Sequence, residues 1–306
     1  MKEKTFISVV VYIHNAEKTI VQFTEKIFEF FSEKFESFEI ILVNDASSDK
    51  TSKLLFEQKE KYAGKVTIVT TAWKHGHELA MLAGTDLAIG DFVYEIESTD
   101  LEFPIEILWN AYKRCGEGYD IVFASPKSSN SLSSILFYKL LGKFSYQNLN
   151  LETDSFKIIT RRALNTALKS KERNRYRKIL YKSSGFPSST LHFKPVKRIK
   201  SSRTLSEKVS FATETLLAFS DIGLKFTLWL SILFFVGSVF IGIYAISIYF
   251  TDKSVALGWT TIMLFLSFSF SGIFLILTIL GKYLMMILGE SKKGPVYVVQ
   301  SIRRIR

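Results

Sequence analysis

Cysteine is almost absent: Cys115 is the one residue of its kind among 306. A lone thiol excludes an internal disulfide and offers no thiolate cluster to a metal, which fits a reducing cytoplasm. Its place in an amphipathic stretch makes a buried helix position the expected one. No internal repeat and no low-complexity tract occurs, so a packed domain rather than an array is expected. The run after Met1–Lys4 is short and β-like, lacking the extended apolar region of a signal peptide. Membrane insertion is expected through C-terminal spans.

Charge is missing from two long stretches, residues 226–250 and 255–281, separated by Thr251, Asp252, Lys253 and Ser254. Each exceeds the ~20 apolar residues that a helix needs to cross a bilayer core. Lys197, Arg198, Lys200, Arg203, Lys208 and Lys225 precede them, and Lys282, Lys292, Lys293, Arg303, Arg304 and Arg306 follow. That asymmetry predicts a two-span hairpin in the inner membrane with both termini cytoplasmic. A hairpin serving only as an anchor is the plainer alternative. Ser238 and Gly242 permit close helix approach, so a homo-oligomer is allowed but not specified.

The formal net charge is +11. Its excess lies in residues 161–208 and in the tail, so anionic lipid rather than nucleic acid is the expected partner. The expected organisation is a polar domain at 1–200, a juxtamembrane interfacial helix within 201–224 (amphipathic over 204–219), the two spans within 225–288, and a cytoplasmic tail at 289–306.

Short apolar runs alternate with amphipathic segments over the first ~125 residues, the pattern of βαβ units on a largely parallel sheet. Strands are expected at residues 7–13, 39–43, 66–70, 92–96 and 121–124, with later ones at 156–160 and 191–196. Helices are expected at 16–35 with Asn15 as cap, at 48–61, 77–89 and 104–115 with Pro104 in its first turn, and at 132–144 and 161–169.

In open α/β sheets ligands sit beyond the carboxyl ends of the strands. Polar residues recur there: His14, Asn15 and Glu17; Asn44, Asp45, Ser47, Ser48 and Asp49; Glu97, Ser98, Asp100 and Glu102. A strand-end acid can accept a nucleobase N–H or ribose hydroxyls, and neighbouring acids can hold a divalent ion on a diphosphate. Ser47, Ser48 and Asp49 are better explained as turn and cap residues. His75 and His77 lack a clear third ligand, which disfavours zinc against solvated or phosphate-facing imidazoles.

The segments VVVYIHNAE, ILVNDASSDKT, AGTDLAIGDFVYEIESTDLEFP, GEGYDIVFA, FKIITRRA, ERNRYRK and GKYLMMILGESKKGPVYVV occur in this order. Together they resemble the membrane-anchored polyprenyl-phosphate glycosyltransferases of glycosyltransferase family 2, over essentially the whole chain. The resemblance implies a GT-A fold, Rossmann-like with a mainly parallel sheet. It places Glu17, Asp45, Ser98 and Asp100 at the donor. Asp100 would be the retained acid of the metal-binding Asp-x-Asp, and Glu102 would also reach the ion, Mg²⁺ or Mn²⁺. Arg161 and Arg162 match a basic pair after FKIIT, Arg173 and Arg175 a Glu-Arg-x-Arg segment, and Ser202 with Arg203 a Ser-Lys pair. Of these, Arg173, Arg175 and Arg203 would be catalytic with Asp100 and Glu102, and Arg161, Ser202 and Arg203 would hold the acceptor phosphate.

This sequence departs from the pattern at Ser98, which replaces the first aspartate; at Tyr12, the usual Pro; at Trp73–Gly76, where the family has Arg-Asn-Phe-Gly; and at Ser155. Losing one metal carboxylate weakens a hard-cation site, and Glu97 or Glu102 are the acids placed to compensate.

The expected reaction is inverting transfer from a nucleotide sugar, a UDP-sugar favoured, to a polyprenyl phosphate. The rival of another class is a non-catalytic membrane subunit that keeps the fold to bind a partner. A processive polysaccharide synthase is disfavoured, since no Gln-x-x-Arg-Trp motif occurs.

Overall fold

The computed structural model describes residues 2–62, 64–127, 153–169, 176–196, 258–291 and 297–304, with scattered positions between 226 and 247. The expected helices at 132–144 and 204–219, Arg173, Arg175, Ser202, Arg203, Ser238 and Gly242 lie outside the described residues.

The chain divides into two units, the first comprising residues 1–142, 149–204 and 294–306, the second 143–148 and 205–293. In the first, β1 (Ile7–Ile13), β2 (Phe38–Asn44), β3 (Val66–Thr71) and β4 (Phe92–Ile96) alternate with α1 (Ile20–Lys34), α2 (Thr51–Lys61) and α3 (His77–Thr85). Then come α4 (Glu106–Gly116), β5 (Ile121–Pro126), β6 (Phe156–Thr160), α5 (Arg161–Lys169), α6 (Arg177–Ser183) and β7 (Ser188–Phe193). A last strand, β8 (Val299–Arg304), closes the unit. One sheet results, ordered β7-β5-β6-β4-β1-β2-β3-β8.

Neighbours β4, β1, β2 and β3 are parallel, as are β5 and β7, while β6 runs against β4 and β5, and β8 against β3. This mixed GT-A-like sheet is the expected fold class in its coarse form. β8 was expected within a free tail; instead its residues pair with Thr67–Thr71 along the edge.

The period-two alternation of the strands sends side chains to two cores. Val9, Val11, Ile40, Leu42, Tyr94 and Ile96 pack with Phe23, Ile27 and Phe31 of α1 and with Leu108 and Cys115 of α4. Val10, Ile41, Val43 and Val93 take the other face with Ala80 and Met81 of α3, Leu164 of α5 and Tyr181 of α6. Gly84 lets α3 settle on this face, because a Cβ there would lie 2.5 Å from both Val10 Cγ1 and Val43 Cγ2. Cys115 is buried in α4 as expected, and burial pushes its thiol up to about 12, far from a reactive thiolate.

Helix starts differ from expectation. α1 begins at Ile20 with no side-chain cap, and Asn15 sits at φ +50°, its side chain turned to the next loop. Pro104 precedes α4, which begins at Glu106.

In the second unit, α7 (Trp259–Ser291) packs through Gly272 and Phe268 on Phe234, the two rings 5.0 Å apart. Among the described residues no helix is long and apolar enough to cross a membrane. The expected two-span inner-membrane placement with cytoplasmic termini is corrected on that finding.

Candidate active site

The parallel strands bring their carboxyl ends to one edge of the sheet, where the loops after β1, β2, β3 and β4 meet. Those after β1 and β2 are laced together. Asn15 Oδ1 accepts from Ser48 N at 2.9 Å, Asn15 N donates to Ser47 Oγ at 3.0 Å, and Ala16 N donates to Thr51 Oγ1 at 2.8 Å. Asp49 accepts from Thr51 N and from Glu17 N, which supports the turn-and-cap alternative for this segment. Glu17 is exposed and its carboxylate accepts from Lys50 N at 3.2 Å, beside the start of α2. Ala46, at φ +48°, holds a left-handed turn that a non-glycine residue adopts only when its surroundings enforce it.

Asp45 is fully buried at the head of this loop. Its Oδ1 accepts from His75 N at 2.8 Å and from Thr71 Oγ1 at 3.0 Å, while Oδ2 accepts from Gly76 N at 2.9 Å and Tyr12 Oη at 3.2 Å. The Thr71 hydroxyl has one proton and also lies 2.9 Å from Trp73 O, so the backbone N–H groups of His75 and Gly76 are the bonds that hold this carboxylate throughout. Tyr12, standing where the resemblance expects Pro, also lays its ring 4.5 Å from that of His77.

After β4 the chain turns outward. Ser98 Oγ accepts from Asp100 N at 3.1 Å and donates to Asp100 Oδ2 at 3.4 Å, so the hydroxyl that replaces an acid orients the one that remains. Asp100 is exposed. Glu102 accepts from Ser155 Oγ and is half-buried; burial first, and then the Asp100 charge, raise its carboxyl above the usual carboxylate range. Among the described residues no cluster of three or more His, Cys, Asp or Glu forms a metal site. Asp100 with Glu102 still supplies the hard oxygen donors that Mg²⁺ or Mn²⁺ takes one or two at a time, the rest of the shell coming from substrate phosphates and water.

Glu97 does not compensate for Ser98. It turns inward, where Lys157 Nζ meets its Oε1 at 2.5 Å and His77 Nε2 its Oε2 at 3.0 Å. It belongs to a buried charge network under the site. Arg177 reaches Glu78 Oε2 at 3.0 Å, Glu97 Oε1 at 3.5 Å and the fully buried Glu95, which also accepts from Tyr181 Oη. Lys157 Nζ lies 3.5 Å from Glu95 and 3.3 Å from Asp154, and Asp154 also pairs with Lys178. Sequence reasoning missed this network, although Glu95 inside a strand otherwise as apolar as β4 was its signal.

Burial alone would raise the Glu97 carboxyl, but His77, Lys157 and Arg177 outweigh it and hold the group at about 2; Glu78 is lowered likewise, chiefly by Arg177. An acid lowered on folding stabilises the protein above its unfolded pKa and ceases to do so as pH falls through the folded one. Thermal denaturation should therefore show Tm dropping between pH about 4.5 and about 2. A Tm that is flat across that window in the wild type, or equally steep in Glu97→Gln, would contradict the assignment.

Arg161 is not brought to this edge. Because β6 is antiparallel to β4, Thr160 pairs with Phe92, and Arg161 binds Gly90 O at 2.9 Å at the amino end of the sheet. The four strand steps between Phe92 and Ile96 alone span ~13 Å. Its expected role at the acceptor phosphate is corrected for that reason. Arg162 beside it forms a bidentate pair with Asp120 at 2.5 and 2.6 Å. His75 and His77 do not converge on a metal: His75 meets Val298 N, and His77 meets Glu97.

Residues 8–168, more than half of the chain, match the family described as Glycosyl transferase family 2. The chain belongs to glycosyltransferase family 2. It is a glycosyltransferase, which sets aside the non-catalytic alternative. A bactoprenol glucosyl transferase of Shigella phage SfV is 28% identical over 307 residues, 96% of this chain and 98% of its own. YkcC, an uncharacterised glycosyltransferase of Bacillus subtilis, is 26% identical over 303 residues, 96% of this chain and 93% of its own. Mannosyl-3-phosphoglycerate synthase from Rubrobacter xylanophilus shares the fold, with a TM-score of 0.54 over 70% of this chain and 72% of its own, at 14% identity.

Proposed function

We propose that this family 2 enzyme moves a sugar, with inversion, from a nucleotide sugar (a UDP-sugar favoured) to the phosphate of a polyprenyl phosphate. The observation that carries the reading is Asp100, an exposed carboxylate oriented by Ser98 at the sheet edge where such donors bind. Relatives named bactoprenol glucosyl transferase, matched along almost their full length, support the lipid phosphate as acceptor.

The acceptor oxygen is already anionic, so no strong general base is required. It attacks the anomeric carbon, the bond from that carbon to the donor diphosphate breaks, and the nucleoside diphosphate leaves with the electron pair. Alignment of the two reactants and stabilisation of the departing charge supply the catalysis. A divalent ion held by Asp100 and Glu102 would supply positive charge at that diphosphate. Glu17 stands at the donor side of the edge. Arg173, Arg175, Ser202 and Arg203 are proposed for the phosphates; the first two precede Arg177, which anchors the buried network, by four and two positions.

Purified protein with Mn²⁺, polyprenyl phosphate and a panel of UDP-, GDP- and CDP-sugars should form a lipid-linked monosaccharide. Ser98→Asp restores a second acid beside Asp100 and should bind Mn²⁺ more tightly, with turnover equal or higher. Absence of product with every donor, in both the wild type and Ser98→Asp, would sink the reading.

A further inference from the structure

We propose that Tyr297 and Val298, just before β8, are positioning residues of the donor-nucleotide site, acting through His75 on the loop Thr71–Gly76. The inference rests on the functional reading above, in which the carboxyl ends of β1, β2 and β3 receive the nucleotide.

The loop is braced from two sides. Asp45 holds one side by accepting from Thr71, His75 and Gly76. The other side is held by residues more than two hundred positions further along the chain. Ala72 N donates to Val298 O at 3.0 Å, Val298 N donates to His75 Nε2 at 3.0 Å, and Tyr297 Oη binds the Asp86 carboxylate just beyond α3. The β3 and β8 ladder shifts register between Thr70 and Thr71, where the loop leaves the sheet. Gly76, at φ +84°, makes the left-handed turn into α3.

His75 couples these contacts. Its Nδ1 lies 2.7 Å from Trp73 O, an acceptor only, so Nδ1 carries the proton and Nε2 is left as the acceptor for Val298 N–H. Both bonds are satisfied by one neutral tautomer. The ring also stacks on Trp73 at 4.8 Å and 15°, leaving that indole 57% exposed at the mouth of the edge.

The loops after β1 and β2 brace one another, whereas the loop after β3 is braced in part by Tyr297 and Val298, just before β8. Asp45 holds the same loop from its other side through the N–H groups of His75 and Gly76, so it orders the donor edge through that loop. Two residues from the expected tail at 289–306 thereby become part of what fixes the loop and its exposed aromatic ring.

The test uses the full chain. His75→Phe keeps a ring against Trp73 but cannot accept from Val298, and Val298→Pro removes the donor. UDP and GDP are titrated by calorimetry, with Tm and amide hydrogen exchange measured in parallel. Both variants should bind the preferred nucleotide roughly five- to tenfold more weakly, the scale of one lost hydrogen bond, and the amides at positions 75 and 76 should lose protection. Ile302→Pro, in the ladder opposite Val69 and away from the loop, should lower Tm while the folded protein keeps its nucleotide affinity. Wild-type affinity with wild-type protection in both variants overturns the proposal. If the wild type binds neither nucleotide, the functional reading fails on its own and exchange alone decides: retained protection refutes the positioning role, and lost protection upholds it.

Discussion

Asp100→Asn should lower kcat by about 10²–10³-fold while leaving Tm unchanged, because it removes a preorganised charge without disturbing any packed group. Asp100 is exposed, its side chain takes one hydroxyl hydrogen bond from Ser98, and the amide of asparagine preserves its shape. Among the described residues its carboxylate forms no ion pair, so the loss should appear in turnover and in Mn²⁺ dependence. Glu102→Gln should follow more mildly, since Glu102 is half-buried and one of its oxygens is committed to Ser155. Steady-state kinetics across a Mn²⁺ series would check both. An Asp100→Asn enzyme with wild-type kcat would remove Asp100 from the chemistry and from the proposed metal site.

Arg177→Met should cost about 3–5 kcal/mol of stability, the scale expected when one partner leaves a buried ion pair and its carboxylates stay behind uncompensated. Arg177 is 2% exposed and faces Glu78, Glu95 and Glu97 together. Burial opposes its charge, yet those three acids more than offset that and raise its pKa further. Removing the guanidinium leaves Glu95 fully buried with Lys157 and Tyr181 as its remaining partners. The double variant Arg177→Met with Glu95→Gln should recover part of the loss, because the orphaned charge goes too. Chemical denaturation of the three variants closes the cycle. A single-variant loss below about 1 kcal/mol would show that water reaches the cluster and that it is no buried network.

The same residues show how far the sequence is legible. The bounds of β4 and β6 follow from apolar runs of the right length, and α5 from helical periodicity, because local patterning decides which stretches can pair or coil. The crowding of acids after β1, β2 and β4 follows from the parallel arrangement. Partners are another matter. Glu97 and Asp100 are three residues apart, both acidic and both just past β4, yet one is drawn inward by Lys157 and His77 while the other stays outside. Arg161 looked as well placed as any cation, but an antiparallel β6 delivers the residue after it to the opposite edge.

By itself, then, the amino-acid sequence determined the α/β class, the strand-helix alternation, the burial of Cys115 and the family resemblance, all of which rest on periodicity and short motifs. Tertiary structure alone decided that Asp45 is buried against the loop after β3, that Glu78, Glu95, Glu97, Lys157 and Arg177 form one network, and that β8 returns to the edge beside β3. The physical reason is common to all three. A strand's pattern fixes which face a side chain takes, whereas the partner it meets there comes from elements far away in the chain, and only the closed sheet brings them within hydrogen-bonding distance.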